Sequence, residues 1–332
     1  MSHDGDGVEP LSDTAVAFLA LLSPQQPARS HAQLTARLDS LRKLILLESI
    51  PQAPHEAAII RPLAWKLLLR LHLPPPDDFG VPDIHPLLGT ASNRQPTERP
   101  PPIDPGTPYV QGMNVLAAPF LYVLPTQLEA FACFCTFIEV QAPRYVRPTL
   151  EGVHAGLHVR PIFCPSLSLS TISALTYTFS QLVDLALETL DPALYKHLLA
   201  SNLTAEIYAF PSILTFCACT PPLDEVLELW DFLLAWGVGL NASRLFFLFP
   251  MRTEPPLTFA NNFQVLAVVS QLFIMRDDLL ATLSPMKLLR TFPPLKTREI
   301  IPLTVQFVAD LPSDLYSAII RHPWDDAAVM TR

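Results

Sequence analysis

The clearest structural signal in this chain is PPLDEVLELWDFLLAWG, residues 221–237. Its apolar residues recur at spacings of three and four, the period of one buried helix face: Val226, Leu229, Trp230, Leu233 and Leu234. Asp224 is predicted to cap the N-terminus and Gly237 to close the C-terminus. Glu225 and Glu228 are then predicted to face solvent. The pattern indicates an amphipathic helix with Trp230 in the core.

The same helical period recurs along most of the chain. Upstream, Leu34, Leu38, Leu41 and Ile45 form one apolar stripe, and a second helix is predicted to begin at Arg61 and Pro62. Further helices are predicted at residues 115–124, 131–138, 182–190, 264–275 and 304–309, and from Ser313 onward. With 36 Pro against 10 Gly, Pro-rich connections between helices are favoured over Gly-turn hairpins. The predicted fold class is therefore all-α.

Composition excludes several classes of function. A net charge of −9 without clustered Lys and Arg argues against nucleic acid and favours a protein partner. Two uncharged stretches, residues 105–128 and 161–183, are interrupted by prolines or hydroxyls, so no membrane span is predicted. The cysteine pairs are separated by one residue, which favours buried thiols over zinc ligands. The sequence has no Gly-rich phosphate loop, and no metal site or cofactor of its own is predicted.

One motif points to a specific function. The segment YVQGMNVLAAPF, which begins at Tyr109, resembles the signature of the TBC (Rab-GAP) domain family. AEIYAFPSILTFCACTPPLDEVLELWDFLLAWG from Ala205 and MRDDLLATLSPMKLLRTFPPL from Met275 resemble later parts of that domain in the same order. Within that family, these residues are most similar to those of the fungal checkpoint subunits that restrain mitotic exit or septation. The resemblance implies a TBC-type multi-helix domain over residues 31–332. The polar, acidic and irregular sequence of residues 1–30 predicts a mobile tail before it.

The resemblance also implies a site. Gln111 would be the catalytic glutamine finger that orients the attacking water on a bound GTPase. Tyr109, Gly112, Met113 and Asn114 would contact that GTPase. The partner GTPase would hold GTP and Mg²⁺, so the chain would be a GTPase activator without substrate turnover of its own. A Ras-like small GTPase and a scaffold protein are the implied partners, in the cytoplasm and at the spindle pole body.

Three segments depart from the family pattern. The arginine-finger motif IxxDxxR is missing from residues 89–108, where Arg94 and Arg99 lie outside any helical pattern. Residues 159–181 and 242–264 interrupt helices that the family would continue, and we interpret them as irregular insertions from unspliced introns. An arginine finger increases the rate of GTP hydrolysis by a factor of about 10³ to 10⁵. A chain that supplies Gln111 without an arginine is therefore predicted to be a weak activator.

Three functional hypotheses follow. The first is a GTPase-activating subunit whose arginine comes from the missing motif or from a partner. The second is a module that binds a GTPase or a scaffold without accelerating hydrolysis. The third is a helical scaffold unrelated to GTPases, in which the motif at Tyr109 is a coincidence.

Overall fold

The computed structural model describes residues 10–22, 31–69, 109–110, 112–140, 179–237, 263–290 and 293–321. Within these ranges the chain forms fifteen α-helices and no β-strand. This confirms the all-α fold class. The chain divides into two compact units, Met1–Glu98 and Arg99–Arg332, whereas one domain over residues 31–332 was predicted.

The first unit is built from three helices, α1 (Asp13–Leu22), α2 (His31–Glu48) and α3 (Pro54–Leu68). Helix α2 confirms the predicted stripe, because its interior residues Leu38, Leu41 and Ile45 are buried. All three helices contact one another. The unit therefore has an apolar core of its own.

Helix α1 corrects the prediction of an irregular tail over residues 1–30. Ala15, Phe18 and Leu22 are buried in the core of the first unit. The helix is also tied down at its start, where the Ser12 hydroxyl accepts a hydrogen bond from the Ala15 N–H and donates one to Glu56. Sequence alone missed this helix because the residues that bury its apolar side belong to α2 and α3, later in the chain.

Helix α3 begins earlier than predicted. Pro54 occupies its first turn, and Pro62, predicted as the start, lies inside the helix. An interior proline removes one backbone hydrogen bond, but burial of Ile60 and the fully buried Trp65 on the same helix offsets that cost. Trp65 is therefore a core residue.

The second unit contains the other twelve helices. They are α4 (Met113–Val123), α5 (Gln127–Val140), α6 (Phe179–Leu190), α7 (Pro192–Ala200), α8 (Ala205–Tyr208), α9 (Phe210–Leu214), α10 (Leu223–Gly237), α11 (Phe263–Ile274), α12 (Arg276–Ala281), α13 (Pro285–Leu289), α14 (Thr297–Asp310) and α15 (Ser313–Arg321). Helix α11 is central: its residues from Phe263 to Leu272 are all buried, and it contacts α6, α9, α12 and α14. A helix that is apolar on every side is buried within a larger bundle.

Helix α10 confirms the predicted core but not its predicted solvent face. Trp230 is fully buried, as expected. Glu225, however, accepts a 2.6 Å hydrogen bond from the Thr297 N–H at the start of α14. Glu228 is 8% exposed and lies 3.8 Å from the Arg298 guanidinium. Both carboxylates therefore hold α14 against α10.

The three unusual segments fall largely outside the described residues. Residues 89–108, with Arg94 and Arg99, lie there entirely. Of the two predicted insertions only residues 179–181 and 263–264 are described, and they belong to the first turns of α6 and α11. At those ends the chain is helical rather than irregular.

Among the described residues, Cys133, Cys135 and Cys217 are buried as predicted, whereas Cys219 is exposed. No group of three or more His, Cys, Asp or Glu side chains in that part of the chain is arranged to hold a metal ion. None of the described helices is long and apolar enough to cross a membrane.

Candidate functional site

The loop before α4 places two of the predicted contact residues at the protein surface. Tyr109 is 70% exposed, and its hydroxyl donates a 3.2 Å hydrogen bond to the Asn114 side-chain carbonyl. Asn114 itself is exposed on the first turn of α4. Gln111, the predicted catalytic residue, lies outside the described residues. Tyr109 and Asn114, which are both exposed, thus lie on either side of position 111 in the sequence.

Gly112 is the residue on which the loop turns into the helix. Its φ of 100° is in the left-handed region that favours glycine, and its carbonyl accepts hydrogen bonds from the N–H groups of Val115 and Leu116. A Cβ at this position would meet the Leu214 side chain at 3.2 Å. Both the backbone conformation and the available space therefore require glycine here.

Met113 braces the loop from inside. The Val110 N–H donates to the Met113 sulfur at 3.1 Å, and the Met113 N–H donates to the Val110 carbonyl at 3.1 Å. Val110 is buried and Met113 is half-buried. Two hydrogen bonds therefore hold Val110 and Met113 together.

Helix α4 separates two surfaces of different character. Leu116, Pro119 and Phe120 are buried, while the opposite side presents a stripe of exposed residues: Asn114, Ala118, Leu121 and Tyr122. Leu121 and Tyr122 are 58% and 69% exposed. These positions follow the i, i+4, i+7, i+8 spacing of one helix face, so the exposed stripe continues from the Tyr109 loop along α4.

An aromatic cluster supports α4 from below. It consists of Phe120, Phe134, Phe137, Phe216 and Trp230. Phe120 meets Trp230 edge to face at 5.4 Å between ring centroids, and Phe137 stacks on Trp230 at 5.1 Å. The indole N–H of Trp230 donates a 3.0 Å hydrogen bond to the Phe216 carbonyl. Helix α4 therefore packs, through Phe120, against a closely packed group of aromatic rings.

The loop and the helix supply hydrogen-bonding groups but no charge. Residues 109–123 contain no Asp, Glu, Lys, Arg or His. Hydroxyl and amide groups in such a loop can orient a water or contact a partner, but they cannot neutralise the charge of a transferring phosphoryl group. A cation for that chemistry has to come from elsewhere.

Sequence reasoning missed two contributions to this site. Leu214, more than a hundred residues away, packs against Gly112, and no local pattern could indicate that contact. Leu121 and Tyr122 were counted within an apolar core helix, although their seven- and eight-residue spacing from Asn114 was a readable signal of a second face. The predicted helices at residues 115–124 and 131–138 are themselves confirmed by α4 and α5.

Comparison with known proteins gives a family match over this region. A model of the Rab-GTPase-TBC domain matches residues 103–249. That range includes the Tyr109 loop, α4, the aromatic cluster and α10. The predicted resemblance is confirmed, and the hypothesis of a scaffold whose motif arose by coincidence does not fit this match.

Three relatives are similar over about two thirds of the chain. Cell division control protein 16 of Schizosaccharomyces pombe is 40% identical over 223 residues, which are 67% of this chain and 59% of the relative. Mitotic check point protein BUB2 of Saccharomyces cerevisiae is 34% identical over 221 residues, 67% of this chain and 57% of the relative. A putative mitotic check point protein BUB2 of Dictyostelium discoideum is 34% identical over 215 residues, 65% and 46% respectively. The chain thus spans about half to three fifths of these relatives.

Proposed function

We propose that this chain, which contains a Rab-GTPase-TBC domain over residues 103–249, is a GTPase-activating subunit for a Ras-like small GTPase that controls mitotic exit or septation. The observation that carries the proposal is the exposure of Tyr109 and Asn114, which flank a turn fixed at Gly112 and continuous with the exposed face of α4. A loop of this kind can be inserted into a partner's nucleotide site without rearrangement of the domain beneath it.

In this proposal Gln111 is the catalytic residue that orients the attacking water. A side-chain amide both donates and accepts hydrogen bonds, so it can hold a water in line with the γ-phosphate while contacting the phosphate itself. Tyr109 and Asn114 would meet the GTPase surface beside it, with Gly112 and Met113 holding the loop. The GTPase would supply GTP and Mg²⁺, and this chain would supply positioning.

The arginine required for full activity would come from a partner. The uncharged loop and α4 offer no cation, and an arginine finger is worth about 10³ to 10⁵ in rate. We therefore propose a two-component activator, in which a scaffold protein completes the site. The cell-division and checkpoint names of the relatives support a role in cell division. We propose that the chain acts in the cytoplasm and at the spindle pole body.

A second function rests on the same lack of charge. A domain that binds the GTPase through the exposed face of α4, without an arginine, would hold its partner and leave hydrolysis unchanged. The exposed Leu121 and Tyr122 support binding of this kind, because they extend the contact surface well beyond the loop.

Single-turnover GTP hydrolysis separates the two functions. Candidate Ras-like GTPases loaded with GTP are mixed with this chain, with Gln111→Ala, or with Gln127→Ala, a control at an exposed glutamine at the start of α5. The activator function predicts faster hydrolysis that Gln111→Ala abolishes and Gln127→Ala preserves. Binding without acceleration, unaffected by Gln111→Ala, would instead establish the non-catalytic module.

A further inference from the structure

Three carboxylates come together where α6 meets α8. Asp184 and Glu188 lie one turn apart on α6, and Glu206 lies in the first turn of α8. The Asp184 carboxylate accepts a 3.0 Å hydrogen bond from the Ala205 N–H, which brings the start of α8 onto α6. We call Asp184, Glu188 and Glu206, together with Tyr195 and Tyr208, the acidic cluster.

The negative charge of this cluster is not compensated by any cation among the described residues. None of its three carboxylates belongs to an ion pair there. Burial raises the pKa of Asp184 to about 7, the Ala205 hydrogen bond opposes that rise, and the charges of Glu188 and Glu206 add to it. The cluster therefore has an excess of acceptor groups and of negative charge.

Tyr208 provides an independent indication that something binds here. The residue is only 4% exposed, yet its hydroxyl has no hydrogen-bond partner among the described residues. Tyr208 lies one turn after Ala205 on the buried face of α8, and the Ala205 N–H donates a hydrogen bond to Asp184. Burial raises the pKa of Tyr208 well above the usual range, and Asp184 and Tyr195 raise it further. Buried hydroxyls in proteins are nearly always hydrogen-bonded, and an unmatched one calls for a specific explanation.

The oxygen atoms of the acidic cluster indicate what kind of ligand it can bind. Several carboxylate oxygens and a phenol oxygen require a cation that carries many N–H donors, and a guanidinium group has five in a planar fork. The half-buried ring of Tyr195 offers an aromatic face for the same group. A metal ion fits poorly, because no three His, Cys, Asp or Glu side chains among the described residues are arranged to hold one.

We propose that the acidic cluster binds an arginine side chain of a protein partner. A separate protein is the fitting source because this chain carries 31 acidic against 22 basic residues and so attracts basic partners as a whole. This binding site is distinct from the Tyr109 loop and does not depend on GTPase activation.

A peptide titration tests the proposal with the full chain. The probe is acetyl-Gly-Arg-Gly-amide, compared with the same peptide carrying citrulline, a neutral isostere of arginine, and binding is measured by ligand-observed NMR at pH 8 and low salt. The arginine peptide is expected to bind at least tenfold more tightly than the citrulline peptide. At pH 5.5, below the pKa of about 7 for Asp184, that carboxyl group is mostly protonated, and binding is expected to weaken.

Three variants locate the site. Asp184→Asn keeps the acceptor for Ala205 and removes the charge, and Tyr208→Phe removes only the hydroxyl; both are expected to weaken arginine binding severalfold or more. Asp278→Asn, at an exposed acid on α12, is the control and is expected to bind like the parent. Equal binding of arginine and citrulline, or full binding by Asp184→Asn, would overturn the proposal. So would absence of binding by the parent chain, which would point to an occupant from elsewhere in this chain.

Discussion

Two regions of the second unit differ in whether a buried polar group has a hydrogen-bond partner. In the aromatic cluster the indole N–H of Trp230, which is fully buried, donates to the Phe216 carbonyl. In the acidic cluster the equally inaccessible hydroxyl of Tyr208 has no partner among the described residues. The buried indole N–H of the first region is hydrogen-bonded within the protein. The buried hydroxyl of the second region is left for a ligand to bind.

This difference separates support from recognition. A satisfied, closely packed cluster gains nothing from a ligand, so its role is to hold α4 and the Tyr109 loop in place. An unsatisfied cluster lowers the stability of the free protein and regains it when a complementary group binds. Substitutions in the two regions should therefore have opposite signs.

The largest expected effect is in the aromatic cluster. Trp230→Ala should lower the free energy of unfolding by about 3 to 5 kcal/mol, because it leaves a cavity beneath α4 and strands the Phe216 carbonyl. Urea denaturation measures the loss. Trp236→Ala is the matched control: Trp236 is only half-buried beside Phe232, and a smaller loss is expected. Similar losses for both tryptophans would show that the cluster is not a special support.

A substitution at Gly112 links that support to the site. Gly112→Ala should cost about 2 to 3 kcal/mol, since alanine is strained at a φ of 100° and its Cβ meets Leu214 at 3.2 Å. The double variant with Leu214→Ala should recover the steric part but not the backbone part. A double-mutant cycle by urea denaturation measures the coupling. Strict additivity would mean that Leu214 does not limit the space at the loop.

In the acidic cluster, Asp184→Asn should stabilise the protein, and the gain should depend on pH. The folded pKa of Asp184 is about 7 against 3.8 for the free side chain. Between these values the folded state binds more protons than the unfolded state, so stability due to Asp184 falls as pH rises. The gain from the substitution should be near zero at pH 4 and reach about 1 to 2 kcal/mol at pH 8. A gain that is constant with pH would contradict the assigned charge.

The smallest effect is expected for Tyr208→Phe. Loss of an unpartnered hydroxyl should change the free energy of unfolding by about 0.5 kcal/mol or less, in the stabilising direction. The matched control is Thr304→Val, which removes a buried hydroxyl that donates to Ile300 and pairs with Ser270, and should destabilise by about 1 kcal/mol. Thermal unfolding distinguishes the two signs. Equal destabilisation would indicate that the Tyr208 hydroxyl is satisfied within the chain.

Sequence patterns predicted what depends on neighbouring residues. The stripe on α10, the core position of Trp230 and the family motif at Tyr109 are all local signals, and the structure or the comparisons confirm them. The prediction for Glu225 was wrong because the helical period alone placed its side chain in solvent. In the structure it accepts a hydrogen bond from Thr297, far along the chain. Helix α1 was missed for a similar reason.

The candidate site divides in the same way. Tyr109 and Asn114 could be named from the motif, and the structure places both at the surface. The Leu214 contact and the hydrogen bond from Ala205 to Asp184 depend on how separate helices pack, which no spacing in the sequence encodes.

The central claim is that position 111 reaches the nucleotide site of a bound GTPase. The most direct measurement replaces Gln111 by a photoreactive benzoylphenylalanine and irradiates the protein with a Ras-like GTPase that carries GDP and aluminium fluoride, a mimic of the transferring phosphoryl group. A crosslink to residues lining the nucleotide is expected, and none is expected from the same substitution at the control position Gln127. A crosslink only to surfaces remote from the nucleotide, or only within this chain, would contradict the central claim.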